Sequence, residues 1–457
     1  MGLTGEIGAF LGGLRPHDIP PGAIATVRVG FADCLAAMIA GWNEPAARII
    51  AASLDSPTSG GVVLPFDLRR VRTPDAALAM AVAAHVLEFD DTGLAGHPSA
   101  VLVPAILAEA RENGAAGDRM VAAYVAGYEI WAELVGRDQD QLHQKGWHPS
   151  AMYGAIAAAG AVSVLRGLDA PHSAAAVGVA TSLAGGVVAN FGSMTKPLQL
   201  ARAAQSGLLA ARLAEGGLTS SPDAIEHPTG FLRAVSPQGR VDTAARSHLG
   251  EDWRILRHGL NIKLYPVCYS THRILDAMAA LRQATPFAAA EVAAIEIEIG
   301  ETQAAMLRNH LPQTGADAKF SGEFAMAAMV IAGRCGRGEL TDAFVRRLDV
   351  QDLMRRVGTT TIAEKDPEEP AHSPFDRVHV TLRDGRQLAS DPVTHAYGHF
   401  RRPVPTEGLW RKFQDCAADR LSPAVAREVF DAALRVEGLA GAAALLDPLR
   451  GSGAEAA

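Results

Sequence analysis

The chain has 457 residues, of which 48% are hydrophobic and 5% aromatic, and its formal net charge is −8 at pH 7. This length exceeds one ordinary hydrophobic core, so we expect about two to three domains, and the Ala-rich apolar content suits closely packed helices. The negative charge and the lack of a long basic run argue against a nucleic-acid-binding protein.

The cysteines and the first residues of the chain indicate a cellular compartment. Four cysteines are scattered without a C-x-x-C pair, which favours reduced thiols over a disulfide framework or a thiolate zinc site. The N-terminal segment lacks a basic stretch followed by a long apolar one, and we expect no apolar run of membrane-spanning length. A cytoplasmic protein without a membrane partner is therefore predicted.

Helical patterns dominate the first half of the chain. Apolar residues recur in helical register over residues 21–42, and residues 60–72 could form a short extended connection. Thr73 and Pro74 then predict the N-cap and first turn of a helix that is apolar on almost all sides and is therefore buried. Glu88 follows this helix and is expected to lie in a loop.

The stretch of residues 85–104, HVLEFDDTGLAGHPSAVLVP, crowds titratable side chains between two apolar runs. It contains two histidines, three carboxylates and Thr92. Two glycines bend the chain before His97-Pro98 opens the next helix. Because these polar groups follow a buried helix, a functional site is predicted here.

Three later helix starts carry reactive side chains in the same way. A second His-Pro-Ser opens a long helix at His148, Lys196 precedes a proline at another helix start, and His272 follows Pro266. A helical run over residues 175–192 is expected between the first two.

The N-terminus of a helix favours an anionic ligand and disfavours a protonated histidine, because its N–H groups and dipole are positive. Neutral His97 and His148 could then act as general bases, while Lys196 holds a carboxylate or the charge that develops on it. This combination favours removal of a proton beside a carboxylate. The alternative is that each X-Pro only starts a helix and each histidine is a satisfied loop residue.

Other chemistries have weaker signals. The HExxH pattern is absent, and the acidic pair Asp90 and Asp91 more often caps a turn than binds a divalent ion. No dinucleotide-binding fingerprint, Walker lysine pattern or GxSxG is present, and Cys268 is expected to be a packing residue. We therefore expect neither a metal nor a nucleotide cofactor.

The pattern changes after about residue 284. EVAAIEIEIG alternates with period two, and RVHVTLRDGRQLASD adds strands with a hairpin signal at Asp384-Gly385. A helix is predicted from about Gly322. These features indicate a smaller α+β domain, after which the chain returns to helical patterns and ends in a Gly/Ala tail that is expected to be disordered.

Several segments together resemble the MmgE/PrpD family: HVLEFDDT with GHPSAVLVPA, GWHPSAMYGA, FGSMTKPLQLARAAQSG and IKLYPVCYSTH. The resemblance runs from about residue 5 to Phe413. It implies a mainly α fold, with a large all-helical domain built from residues 1–262 and 399–457 and a smaller α+β lid domain, residues 263–398, inserted between them. It also implies a homodimer, a small polycarboxylate substrate, and no metal or organic cofactor.

The resemblance also implies site residues. Catalytic acid/base roles fall on His97 and His148, and substrate-binding roles on Glu88, Thr92, Lys196 and His272. The chain departs from the family's usual motifs in having Glu88 in place of Asp and Gln199 in place of His. An extra methylene moves a carboxylate by more than the ~0.5 Å tolerance of a productive site, so we do not transfer the substrate preference of the dehydratase or of the decarboxylase to this chain.

All branches of the family begin with chemistry at a carbon beside a carboxylate. The resemblance predicts a cofactor-independent lyase of the 2-methylcitrate dehydratase type. An epimerase of the iminodisuccinate type is the alternative, because GWHPS and NFGSMTKP are more similar to that branch. A carboxylate-binding protein without catalysis is a third possibility, which the changes at Glu88 and Gln199 permit.

Overall fold

The structure is a computed structural model that describes residues 1–450. It is 55% helix and 8% strand, which confirms the mainly α class. The helices are α1 Leu3–Gly13, α2 Pro21–Gly41, α3 Pro45–Ala52, α4 Thr73–His85, α5 Pro98–Asn113, α6 Gly117–Arg137, α7 Pro149–Arg166, α8 Ala170–Leu183, α9 Thr195–Glu215, α10 Phe231–Val235, α11 Arg254–His258, α12 His272–Ala284, α13 Glu301–Met306, α14 Gly315–Ala318, α15 Gly322–Ala332, α16 Asp342–Val345, α17 Leu348–Met354, α18 Thr406–Ala417, α19 Pro423–Ala433 and α20 Ala443–Leu446. The strands are β1 Val62–Val63, β2 Arg70–Val71, β3 Val292–Gly300, β4 Val357–Ile362, β5 Arg377–Leu382 and β6 Gln387–Ala389.

The chain forms two compact units. The helical unit comprises Met1–Leu260 and Pro405–Ala457, and the mixed unit comprises Asn261–Val404. The predicted domain division at residues 262 and 398, and the role of the inserted segment as a lid, stay predictions.

The helical unit is built around helices that are buried on nearly all sides. Within it, α4 packs against α9, α5 and α2, and α7 packs against α9 and α6. Small residues allow this close approach: a Cβ at Gly207 of α9 would lie 2.6 Å from the carbonyl oxygen of Ala155 in α7. The starts of α5, α7 and α9 thereby come together near the end of α4.

The helix α2 corrects the expectation about apolar runs. It has 21 residues and a mean hydropathy of 1.7 over an 18-residue window, so it is long and apolar enough to cross a membrane by length and composition. In this fold, however, 67% of that window is buried inside the protein, as expected of a core helix.

Three local predictions also need correction. The N-cap of α4 is Arg72, so Thr73 already lies in the helix. The run predicted over 175–192 is α-helical only to Leu183, because Gly185 and Gly186 follow, and residues 184–194 then form a loop with a short 3-10 helix at Val188–Asn190. The tail predicted to be disordered contains α20 and buried leucines up to residue 449, while its last part, residues 451–457, lies outside the described residues.

The mixed unit contains a four-stranded sheet in the order β4-β3-β5-β6. β3 is parallel to β4 and antiparallel to β5, and the β5-β6 pair is the hairpin that Asp384-Gly385 predicted. Ile295, Ile297 and Ile299 of β3 point into the core of this unit, which confirms the period-two pattern of that segment. Apolar residues of α12 and α15 belong to the same core.

Candidate active site

The loop between α4 and α5 has a strained backbone. Glu88 has φ 56°, and Leu94 and Ala95 have φ 51° and 58°, a left-handed conformation that non-glycine residues rarely adopt. Gly93 and Gly96 exchange two backbone hydrogen bonds of 2.9 Å around the second of these turns. Such strain persists only where the surroundings impose it, and it concentrates at functional sites.

His85, the last residue of α4, is completely buried at the centre of the site. Its Nδ1 lies 3.0 Å from Oδ2 of Asp90, and its Nε2 lies 3.0 Å from Nζ of Lys196. An ammonium group can only donate, so His85 accepts at Nε2 and carries its hydrogen at Nδ1, from which it donates to Asp90. His85 is therefore a neutral imidazole held between an ammonium and a carboxylate.

Lys196, in the first turn of α9, forms a buried ion pair with Glu88. The left-handed backbone at Glu88 turns its side chain toward α9, and Nε2 of His85 lies 3.4 Å from the same carboxylate. His85 and Glu88 are three positions apart, but α4 ends at His85, so the turn rather than a shared helix face brings them into contact. The cation expected to hold a substrate carboxylate thus already contacts a carboxylate of the protein.

His97 is the N-cap residue of α5, as predicted. Its Nδ1 lies 2.9 Å from the backbone carbonyl oxygen of Asp91 and 3.1 Å from Oδ2 of Asp90. Both partners are acceptors, so Nδ1 carries a hydrogen. The rings of His97 and His85 lie edge to face, 4.4 Å apart, and Asp90 therefore joins two histidines.

His148 is the N-cap residue of α7 and is also buried. Its Nδ1 lies 3.0 Å from Oε1 of Gln199 in α9, and its ring meets Phe191 edge to face at 4.8 Å. Its ring centre is 6.5 Å from that of His85. The starts of α5, α7 and α9 thus place His97, His148 and Lys196 around His85.

The remaining predicted residues differ in position. Thr92 is half-buried in the same loop, where its hydroxyl donates to the carbonyl oxygen of Gly96 at 2.8 Å. His272 belongs to the mixed unit, in which it begins α12, is fully buried and lies between the rings of Tyr265 and Tyr269. The structure therefore brings together five predicted residues in the helical unit, whereas His272 is part of the mixed unit.

Burial decides most charge states in this site. It lowers the pKa of His148 to about 3, with further lowering by His85 and His97, and it lowers the pKa of His85 well below its usual range against the pull of Asp90. Burial alone would raise the pKa of Asp90, but the attraction of His85 and His97 holds it well below its usual range. The sequence suggested the helix N-terminus as the reason for a neutral His148, but loss of water is the larger cause.

A second group of charges lies beneath the loop. Lys412 of α18 donates to Oδ1 of Asp33 and to the carbonyl oxygen of Phe89, both at 2.6 Å. Asp91 is buried beside them, where its Oδ1 accepts from the backbone N–H of Ser99 at 3.3 Å. Burial, and then the repulsion of Asp33, raises the pKa of Asp91 to about 7.

His85, Asp90 and His97 also form a group that could hold a metal ion, because each offers one ligand atom and these atoms lie within 4.8 Å of one another. The ammonium of Lys196, 3.0 Å from His85, would repel a second cation there. The hydrogen bonds among the three side chains account for their geometry without an ion. The expected absence of a metal stays a prediction.

Two protein-family models match the chain and together cover most of its length. The model described as MmgE/PrpD N-terminal domain matches residues 5–244, and the model described as MmgE/PrpD C-terminal domain matches residues 265–436. The chain belongs to the MmgE/PrpD family. The resemblance drawn from the sequence segments is confirmed.

Curated members of the MmgE/PrpD family align with most of the chain. Cis-aconitate decarboxylase of Mus musculus is 28% identical over 393 residues, which cover 82% of this chain and 78% of that protein. The human protein of the same name is 28% identical over 362 residues, covering 76% of this chain and 73% of that protein. Cis-aconitate decarboxylase of Aspergillus terreus is 25% identical over 480 residues, covering 98% of this chain and 96% of that protein.

Sequence reasoning missed two residues of this MmgE/PrpD site. The sequence assigns no role to His85 beyond its place among the titratable residues of 85–104, and it predicts for Asp90 only a turn cap or a divalent-ion ligand. The signal that could have found them is the composition of α4, which is apolar apart from its first turn and its last residue, His85. A histidine at the end of such a helix is buried, and the nearby acidic residues are then its natural partners.

Proposed function

We propose that this MmgE/PrpD protein is a lyase that acts on a small di- or tricarboxylate by proton transfer at a carbon beside a carboxylate. The observation that carries the proposal is the grouping of His97, His148 and Lys196 around the neutral imidazole of His85 in one buried site. Imidazoles exchange protons near neutral pH, and an ammonium stabilises a carboxylate or the charge that develops on it. The names of the curated relatives support a carboxylate substrate.

In this proposal His97 and His148 exchange protons with the substrate, and Lys196 binds one of its carboxylates. Since Lys196 pairs with Glu88 in the absence of substrate, the incoming carboxylate must share or displace that partner. An anion beside His148 also raises the pKa of its imidazole and makes it a stronger base in the complex than in the free enzyme. Thr92 and His272 are proposed as further substrate contacts.

Two bond-breaking outcomes follow from the same residues. Removal of a proton followed by loss of hydroxide gives a dehydratase, which is the reaction we propose from the family resemblance. Loss of carbon dioxide followed by protonation of the carbon gives a decarboxylase, which the names of the relatives favour. Reprotonation on the opposite face would instead give an epimerase.

The test is proton NMR in deuterated water with citrate, 2-methylcitrate, cis-aconitate and iminodisuccinate, each with and without a chelator. Exchange with loss of water supports the dehydratase, loss of carbon dioxide supports the decarboxylase, and inversion without loss supports the epimerase. No change in any substrate would contradict the proposal for these compounds. Activity that disappears with the chelator would contradict the metal-free mechanism.

Variants connect the activity with the site. We expect His148→Ala and Lys196→Ala each to lower the rate at least about a hundredfold without unfolding the protein. His172→Ala is the matched control, because this histidine lies on α8 with a half-exposed side chain and pairs with Asp169, outside the site. A protein that only binds carboxylates would keep its affinity in His148→Ala and show no exchange of substrate protons.

Two further properties are proposed, a homodimer from the family resemblance and a cytoplasmic location from the scattered cysteines. We infer a homodimer, which sedimentation velocity tests directly, since a single species at the mass of one chain contradicts it. We also infer a cytoplasmic location, which fractionation of cells that produce the full chain with a C-terminal tag would test.

A further inference from the structure

We propose that Gln199 is a positioning residue that fixes which ring nitrogen of His148 carries the hydrogen, so that the Nε2 lone pair is available to the substrate. The catalytic consequence rests on the proposed function, whereas the tautomer itself does not. The proposal concerns a residue at which the chain departs from the usual family motif, and it follows from two hydrogen bonds of one amide.

The first step concerns the orientation of the Gln199 amide. Its Nε2 lies 3.2 Å from the backbone carbonyl oxygen of Val187, which can only accept a hydrogen bond. The NH₂ group must therefore face Val187. The amide oxygen then faces the opposite way, toward His148.

The second step concerns the imidazole. Oε1 of Gln199 lies 3.0 Å from Nδ1 of His148, and an amide oxygen has no hydrogen to give. The hydrogen must therefore be on Nδ1. Nε2 of the neutral ring is left with a lone pair, which is the form that a general base requires.

Backbone contacts hold both partners of Gln199 in place. The N–H of His148 donates to the carbonyl oxygen of Gly186 at 3.0 Å, and the N–H of Val188 donates to that of Gly146 at 2.9 Å. The segment that carries the Val187 carbonyl is thus tied to the loop that carries His148. Gln199 itself is buried on α9, with 8% of its surface exposed.

The other neighbours of the His148 ring do not compete with Gln199 for its Nδ1. Phe191 meets it edge to face at 4.8 Å, and the titratable groups that act on it are His85 and His97. Neither of these histidines is recorded within hydrogen-bonding distance of His148 among the described residues. Gln199 is thus the group that selects its tautomer.

The experiment begins with the tautomer, which needs no substrate. In ¹⁵N-histidine-labelled protein, with His148 assigned by comparison with His148→Ala, we expect Nδ1 to be protonated and Nε2 to have the shift of an unprotonated nitrogen at neutral pH. Gln199→Leu should move both signals toward a mixture of tautomers. Gln199→Glu keeps an acceptor at Nδ1 and should keep the tautomer.

The matched control is Gln205→Leu. Gln205 is on the same helix and equally buried, but its amide bonds to Asp75 and Arg202. This variant should leave the His148 signals unchanged. Thermal unfolding of all three variants separates a changed tautomer from a changed fold.

The second readout is turnover of whichever substrate shows exchange. We expect Gln199→Leu to lower kcat about tenfold or more, with a smaller change in KM, since the base is present but wrongly protonated in part of the population. Gln199→Glu should restore part of kcat and move the acidic limb of the kcat/KM profile upward by about one pH unit, because a carboxylate favours the imidazolium.

The outcomes separate the two proposals. If His148 carries its hydrogen on Nε2, or if folded Gln199→Leu keeps the wild-type tautomer, the positioning role is wrong even when the enzyme is active. If the tautomer changes as expected but kcat does not, the positioning role is also overturned. If no substrate is turned over while the tautomer responds to Gln199, the proposed function fails and the structural assignment survives.

Discussion

The two His-Pro-Ser segments of this MmgE/PrpD protein give the same local structure and different electrostatic surroundings. His97 and His148 are both N-cap residues, each followed by a proline in the first turn of a long helix. Nδ1 of His97 is beside the carboxylate of Asp90, whereas Nδ1 of His148 is beside the neutral amide of Gln199. The motif therefore fixes the position of each histidine in the helix start, while other segments of the chain supply different partners for its Nδ1.

This difference suggests separate roles in proton transfer. The carboxylate of Asp90 and the carbonyl oxygen of Asp91 both face Nδ1 of His97, so this nitrogen carries a hydrogen and Asp90 orients the ring. Among residues 1–450 no carboxylate is paired with His148, and burial keeps it neutral and able to accept a proton. We therefore expect the neutral His148 to act as the base and His97 to be its partner in proton transfer, and the following variants test the contrast between their surroundings from the largest effect to the smallest.

Replacing Asp90 removes the difference between the two histidines. Asp90→Asn keeps the shape of the side chain but loses the charge that faces both His97 and His85. We expect kcat to fall about 10²–10⁴-fold, the range that general acid–base catalysis contributes. Steady-state kinetics with Asp75→Asn as the control, a buried aspartate in the first turn of α4, checks this, and a loss of less than about threefold would contradict the role of Asp90.

The contrast also shows what the sequence can predict. X-Pro and the histidine before it are local signals, and they located the starts of α5 and α7 correctly. The alternation of apolar and polar residues predicted β3, and the Asp384-Gly385 pair predicted the β5-β6 hairpin. These features depend on residues within a few positions of each other, which is the range over which backbone preferences and side-chain periodicity act.

The partners of the site could not be predicted in the same way. Gln199 is 51 positions from His148, Lys196 is 111 from His85, and Lys412 is 379 from Asp33. No local pattern encodes such pairs, since they arise when buried helices pack and each buried polar group must find a partner. The sequence shows that Gln199 departs from the usual family motif, but its contact with Nδ1 of His148 is visible only once α9 packs against α7.

The loop that carries His97 lies on a buried ion pair between Lys412 and Asp33, and the second prediction concerns this pair. Lys412 donates to the carbonyl oxygen of Phe89 in the His97 loop and compensates the buried charge of Asp33. Lys412→Met leaves that carboxylate uncompensated, so we expect the free energy of unfolding to fall by about 3–5 kcal/mol. Urea unfolding measures it, and the double variant with Asp33→Asn should recover much of the loss. A double variant as unstable as Lys412→Met would show that the charge pair is not the cause.

The third prediction concerns the pH dependence of the His97 loop. Burial and Asp33 raise the pKa of Asp91 to about 7, above its value of about 3.9 in an unfolded chain. The stability from this group is therefore complete below about pH 4 and is lost as the pH rises through about 7. Asp91→Asn does not titrate, so between pH 5 and pH 8 it should gain about 2.5 kcal/mol relative to the wild type.

Unfolding curves at the two pH values measure this gain for Asp91→Asn. Asp55→Asn serves as the control, because Asp55 is exposed and its replacement should give the same difference from wild type at both values. An unchanged difference for Asp91→Asn would mean that Asp91 is ionised throughout, and that the charge beneath His97 is larger than the buried geometry indicates.

The smallest effect is expected at a hydrogen bond that joins the two helix starts. The backbone N–H of His97 donates to Oγ of Ser150, the serine of the second His-Pro-Ser, at 3.2 Å. Ser150→Ala should lower the free energy of unfolding by about 1 kcal/mol, the usual net contribution of one hydrogen bond. Ser163→Ala is the control, because the hydroxyl of that buried serine in α7 donates to Ala159 of the same helix.

The hydrogen bond between His97 and Ser150 could also set the distance between the two histidines. In that case Ser150→Ala should lower kcat while Ser163→Ala does not, since a shift of about 1 Å is enough to slow proton transfer. Equal kcat values in the two variants would show that this hydrogen bond does not set the distance between the two histidines, and that Asp90 and Gln199 are sufficient to position them.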